Sequence, residues 1–249
     1  MNNDILSQNK RSWDAIADDW FGTTALPTYG CLMPTEDELH LFGDIDGKKV
    51  LDIGCGSGHS LKWCGNNGAV ELWGLDMSTK QIGNANKYLR DCGYIPKLYN
   101  VPMENDCGLP QNYFDVVYSI YAIGWTVDLQ TTFSRISLYL KKDGIFIFSW
   151  DHPLMHCVDV QEDKLIFEGS YFDEGLFTFE KGGNPVLLYN RRMSTYINAL
   201  AKAGFAVEQV VEETDKETLE RDCEFSSGYY ASCKAKKFPL SFVIKARKL

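Results

Sequence analysis

The chain has 249 residues, 45% hydrophobic and 24% charged, with a formal net charge of −9, a composition that suits one α/β domain with an elaboration and leaves no room for two equal domains. The acidic balance argues against a nucleic-acid partner, since phosphate binding needs a positive face and only short runs such as residues 234–237 are basic. No apolar run approaches the roughly 18 residues of a membrane span, the opening Met1-Asn2-Asn3-Asp4 is not a signal peptide, and eight scattered cysteines without a C-x-x-C pair read as reduced thiols; the expectation is a cytoplasmic protein with no metal site and no membrane partner.

Residues 4–21 are expected to be helical, because Trp13, Ile16, Ala17 and Trp20 recur at i, i+3, i+4 and i+7. Residues 25–34 hold Gly, two Pro and no periodicity, and read as a loop. Thr35-x-x-Glu38 is a capping-box signature that opens a short helix.

Residues 48–59 (KKVLDIGCGSGH) then carry a β-prone run straight into three glycines spaced two apart, with an amphipathic helix following over 59–66. Glycine permits the sharp bend and brings no side chain to hold a ligand off the backbone; the helix start adds free N–H groups and partial positive charge. A dinucleotide fingerprint needs a small residue where His59 stands, and no Gly-Lys-Ser/Thr ending marks a phosphate-cradling loop. Residues 50–58 (VLDIGCGSG) resemble the first motif of the class I, Rossmann-like S-adenosylmethionine-dependent methyltransferases.

Residues 70–76 form an expected second strand ending in Asp76, 24 positions past Asp52. A carboxylate at that strand tip can accept both ribose hydroxyls. Ser78-x-x-Gln81 already supplies a capping box for the helix over 79–92, which leaves Asp76 free for a ligand. A third strand covers 97–101. Pro102-Met103-Glu104 follows where the resembled family often places an adenine-binding acid; Pro102 departs from that pattern, and Met103 and Glu104 are the candidates. Residues 114–119 (FDVVYS) resemble the fourth strand of these enzymes, a helix follows over 128–140, and Lys141-Lys142-Asp143-Gly144 turns into a fifth strand over 145–150, buried on both faces.

After residue 150 the period changes. Short β-prone runs split by glycines over 151–193 read as an antiparallel hairpin or small β cap. Helix 194–203, strand 205–212, a polar stretch with aromatic islands over 215–237 and a strand over 240–246 complete the chain.

The resemblance, carried by three ordered blocks over residues 50–150, implies a three-layer Rossmann-like α/β sandwich. Its seven-strand sheet is mostly parallel with one antiparallel strand, and the β cap is inserted after strand 5. One domain is expected, with N-terminal lid helices over 1–47, a cofactor-binding core over 48–150, the cap over 151–193 and the rest of the sheet over 194–249. The implied cofactor is S-adenosylmethionine, with S-adenosylhomocysteine as product, and the lid helix would cover it with Trp13 and Trp20. Implied contacts are Asp52, Gly54, Cys55, Gly56, Ser57, Gly58 and His59 in the turn, then Asp76, Met77, Gln81, Met103 and Glu104, and finally Ser119, Ile120 and Tyr121 at the end of the fourth strand.

The acceptor is expected to be a small molecule, methylated in line, with His152 and Tyr121 as leading candidate catalytic groups and Trp125, Asp151 and Tyr171 as further candidates for a general base or substrate contact. The chain is expected to be a monomer or homodimer. Two rival readings are an NAD(P)-dependent oxidoreductase, weakened by His59, and a cofactor-binding regulator without turnover.

Overall fold

The computed structural model describes residues 2–161, 164–222 and 228–249. In chain order, helices α1 (Asn2–Ile16) and α2 (Glu36–Leu39) precede β1 (Lys49–Ile53), α3 (His59–Asn66), β2 (Glu71–Asp76), α4 (Thr79–Asp91), β3 (Lys97–Asn100) and β4 (Phe114–Ile120). Then come α5 (Leu129–Tyr139), β5 (Leu140–Asp151), the hairpin strands β6 (Val158–Gln161), β7 (Lys164–Phe167), β8 (Leu176–Lys181) and β9 (Asn184–Tyr189), α6 (Met193–Lys202), β10 (Phe205–Val211), α7 (Lys216–Glu220), α8 (Ser232–Ala235) and β11 (Ser241–Lys248).

Seven strands form one sheet in the order β10-β11-β5-β4-β1-β2-β3. Only β11 is reversed, pairing antiparallel with both β5 and β10. The sheet carries apolar side chains on both faces. Leu51 and Ile53, Phe146 and Phe148 point with Phe133, Tyr196 and Leu200 into one core, while Val50, Val116, Tyr118 and Ile147 join Leu61, Cys64 and Leu89 in the other. That alternation with helices on both sides makes the layered fold. Among the described residues no helix is long and apolar enough to cross a membrane.

The inserted cap is two separate two-stranded hairpins, β6–β7 and β8–β9, neither of them part of the main sheet. Two further differences from expectation have local causes. Helix α1 stops at Ile16 and residues 17–21 turn, because Asp18 and Asp19 set negative charge at the negative end of the helix dipole and Gly22 follows at φ +74°. Strand β5 begins at Leu140 instead of after Gly144: Phe114 pairs with Leu140 and Val116 with Ile145, and the residues between bulge out through Asp143 at φ +62°. Cys223, one of the cysteines counted above, lies outside the described residues.

The β8–β9 hairpin is fastened to α1. The buried Asn9 amide donates to Leu187 O at 2.7 Å and accepts from Leu187 N at 2.8 Å, and Ser12 Oγ donates to Pro185 O at 2.5 Å. Asn9 thus substitutes for a neighbouring strand along the edge of β9. Replacing it leaves a buried N–H and C=O unpaired, so Asn9→Ala is expected to lower unfolding stability by about 1–3 kcal/mol, read as a shifted denaturation midpoint at unchanged slope.

Candidate functional site

The carboxyl ends of β1, β2, β4 and β5 open into one cavity of about 750 Å³. Its first wall is the glycine turn. Gly54 N and Cys55 N both donate to Leu75 O, at 2.8 and 3.0 Å, so the turn is tied to β2 as soon as it leaves β1. Gly54 has φ +77°, and a Cβ there would stand 2.4 Å from Ala122 Cβ, so no other residue fits. Gly56, at φ +49°, has nothing within 4 Å of its missing Cβ and faces open space. Gly58 serves differently. It begins α3, and its absent side chain lets Leu89 and Ala85 of α4 approach; it does not line the cavity, contrary to the expectation of a cofactor contact.

Asp52 and Asp76 both line this end. Asp76 accepts from Gly56 N at 3.0 Å and from Ser78 N at 2.8 Å. It is therefore not free, as the spacing suggested, but binds the turn to the start of α4 with lone pairs left toward the cavity. Burial pushes its carboxyl up to about 6 against the pull of those two amides. Asp52 is raised further by burial and by the neighbouring Asp76 charge. The Ser78 cap on Gln81 N forms as expected, at 3.1 Å, but the Gln81 side chain does not return the bond: its buried Oε1 has no protein partner and stands in the cavity wall. Met77, Val101, Met103, Ile120 and Ala122 complete the apolar part of this wall.

The segment after α1 closes over the turn. Gly22 N donates to Ser57 Oγ at 3.2 Å and Leu26 N to Ser60 Oγ at 3.1 Å; Ser57 Oγ also lies 3.0 Å from His59 Nδ1, and His59 stacks on Tyr88 at 4.0 Å. Trp13 and Trp20 line the cavity from above, Trp13 meeting Trp125 edge to face at 5.1 Å. Asp14 of α1 accepts from Ser78 Oγ at 2.7 Å and Lys80 N at 3.1 Å, fixing α1 to the start of α4.

The far end is built where β4 and β5 finish and β11 begins. Tyr121, at φ +53°, occupies a left-handed conformation that costs a non-glycine residue about 1–3 kcal/mol. Its hydroxyl donates to Asp151 Oδ1 at 2.5 Å and lies 2.6 Å from Ser241 Oγ. Tyr230 donates to the same Asp151 oxygen at 3.0 Å, and the Tyr229 hydroxyl also reaches this carboxylate. Burial raises the Asp151 carboxyl, the phenols opposing the shift. His156, Trp125, Trp150, Phe177, Phe179 and Lys181 line the same region.

Four expected site residues are elsewhere. His152 turns away from the cavity, because it follows Asp151 in an extended segment where neighbours point to opposite sides; its Nε2 meets Glu212 Oε1 at 2.7 Å and its Nδ1 accepts from Leu154 N. Glu104 is drawn under the sheet by Thr126 Oγ1 at 2.7 Å and Val127 N at 2.6 Å. Ser119 is fully buried and donates to Ile53 O at 2.7 Å, joining β4 to β1. Gly58 packs α3 on α4, as above. Of the further contacts, Tyr171 sits outside, its hydroxyl accepting from Met193 N. Tyr229, Tyr230 and Lys181 were not singled out as contacts in the sequence, and His156 ranks there below His152; all four lie on the cap or the C-terminal segment, where no motif places them.

The residues present fit a methionine-derived nucleoside. Gly56 leaves backbone exposed, two carboxylates stand at one end, and an orphaned Gln81 oxygen waits for a donor. A family model described as "Methyltransferase domain" matches residues 51–148. An uncharacterized protein of Haemophilus influenzae is 33% identical over 186 residues, covering 70% of this chain and 73% of that one. Sterol 24-C-methyltransferase ERG6B of Gibberella zeae is 34% identical over 113 residues, 45% of this chain and 30% of its own length, so the chain spans under a third of that relative. The crystal structure of an S-adenosylmethionine-dependent methyltransferase from Mesorhizobium loti superposes with a TM-score of 0.69 at 25% identity, covering 84% of this chain and 95% of the other. These similarities exclude the nicotinamide-dependent reading, and the chain belongs to the class I S-adenosylmethionine-dependent methyltransferase family.

Proposed function

We propose that the chain transfers a methyl group from S-adenosylmethionine to a small-molecule acceptor held in the same cavity. The observation that carries this reading is continuity: one space runs from the glycine turn and Asp76 to the Asp151 carboxylate, under a roof made by α1 and the β8–β9 hairpin. A roofed, aromatic-lined space suits a compact organic molecule better than a polymer. The sterol methyltransferase relative supports the same class of acceptor. The cofactor-binding regulator remains as the reading without turnover, and labelled transfer separates the two.

When bound, S-adenosylmethionine supplies an activated sulfonium methyl, so alignment provides most of the assistance the chain must give, up to about 7–11 kcal/mol in the best-aligned cases. Asp52, Gly54 and Gly56 would hold the amino-acid end, and Asp76 the ribose. Met77, Gln81, Val101 and Met103 would enclose the base, with Trp13 and Trp20 excluding water from above. Where the acceptor must lose a proton, Asp151 would take it, with Tyr121 orienting the carboxylate, since both line the cavity and His152 does not.

Three outcomes test this. Incubation with methyl-labelled S-adenosylmethionine and a metabolite extract is expected to give a labelled small molecule; no transfer would leave only a binding protein. In calorimetry Asp76→Ala should weaken S-adenosylhomocysteine binding by about 1.5–3 kcal/mol, the range for charge-assisted hydrogen bonds; unchanged affinity removes Asp76 from the ribose. Because the Asp76 carboxyl titrates at about 6 when folded, against roughly 4 when unfolded, its stability contribution falls as pH rises through that window. Cofactor affinity runs the other way. It should drop as pH falls through about 6, where the accepting anion is lost, and that slope should flatten in Asp76→Asn.

A further inference from the structure

Lys181, the last residue of β8, is the sole lysine or arginine lining the cavity among the described residues. Its Nζ lies 3.6 Å from the ring centre of Trp20, 5.0 Å from that of Trp13 and 5.7 Å from that of Trp125. Indole faces attract a cation, yet they offer its N–H groups no oxygen. Among the described residues none accepts a hydrogen bond from Lys181 Nζ or lies within ion-pairing distance of it. Asp151 is felt only across space, and its Oδ1 is already taken by the Tyr121 and Tyr230 phenols. A largely buried ammonium whose donors meet no oxygen of the described residues is unfavourable, and burial pushes it down to about 8 against the attraction of Asp151.

Around that cation the walls are flat and apolar. Trp125 and Phe179 lie 6.2 Å apart and tilted by 30°, and Phe177 stacks on Phe179 at 5.7 Å.

We propose that Lys181 pairs with an anionic oxygen group of the methyl acceptor, and that the acceptor is an aromatic carboxylate or phenolate whose ring lies among Trp125, Phe177 and Phe179. This rests on the methyltransferase reading, which assigns this half of the cavity to the acceptor. An acceptor bearing an ammonium would meet a like charge here and leave the donors of Lys181 unmet. An anion satisfies them and neutralises the one lysine or arginine that the described residues bring to the wall.

The test titrates the purified protein, with and without saturating S-adenosylhomocysteine, against 2-naphthoate, 2-naphthamide and 2-naphthylmethylamine, which share one ring system and differ in charge. Naphthoate is expected to bind at least tenfold more tightly than the amide, with the amine weakest. The preference should vanish in Lys181→Met and persist in Lys181→Arg, with Lys181→Gln replacing the Met variant if that one does not fold. Equal binding of the three probes, a preference for the amine, failure of all three to bind, or a preference that survives in Lys181→Met each overturns the proposal and leaves Lys181 as a cover for Trp20. If S-adenosylhomocysteine fails to bind while the naphthoate preference holds, the methyltransferase reading falls instead; if it binds and no preference is seen, only the acceptor class is lost.

Discussion

The glycine-turn end of the cavity depends on one half-buried carboxylate caught between two backbone amides. Asp76 accepts from Gly56 on one side and Ser78 on the other, so the glycine turn, the tip of β2 and the first turn of α4 are held at fixed separation by a single side chain. Charge makes those bonds strong, and enclosure makes the charge costly, which is why the group sits near its titration point. A second acid, Asp52, stands in the same wall, its own carboxyl raised by burial and by the Asp76 charge. Two carboxylates facing one space are tolerable where a ligand brings donors or positive charge to them; an ammonium group brings both, and ribose hydroxyls bring donors.

The opposite end has a different logic. Tyr121, Asp151 and Ser241 come from three adjacent strands of the sheet, and because β11 runs in reverse its beginning lies beside the ends of β4 and β5. The reversed strand therefore does more than close the sheet: it delivers Ser241 to the Tyr121 hydroxyl at 2.6 Å. The left-handed backbone of Tyr121 lets the chain leave β4 while sending the phenol back toward Asp151. Strain of this kind persists only where surrounding bonds over-determine it, and Ser149 Oγ, accepting from Tyr121 N, is one of them.

What could be read from the residues alone was whatever depended on nearby neighbours. Residues 50–58 spelled out strand, turn and helix; the glycine stops and the alternation of apolar runs yielded the sheet, and the change of period after residue 150 marked the inserted hairpins. Side-chain direction was less accessible. Asp151 and His152 are consecutive, yet one faces the cavity and the other Glu212, a difference of one step in a period of two. Glu104 lies in the loop after β3, but its carboxylate is claimed by Thr126, a partner 22 residues on. Lys181 and Tyr230 reach the cavity through tertiary folding of segments that carry no motif, and nothing local in their sequence announces it.

The clasp of Asn9 on the edge of β9 has a consequence for how such a protein can diversify. Because one amide joins the N-terminal helix to a hairpin some 178 residues away in the chain, two walls of the cavity that are remote in sequence are fastened to each other. A graft that imports another hairpin to recruit a new acceptor would have to bring its own first helix with it; exchanged alone, it would arrive with a bare edge and an unfastened roof.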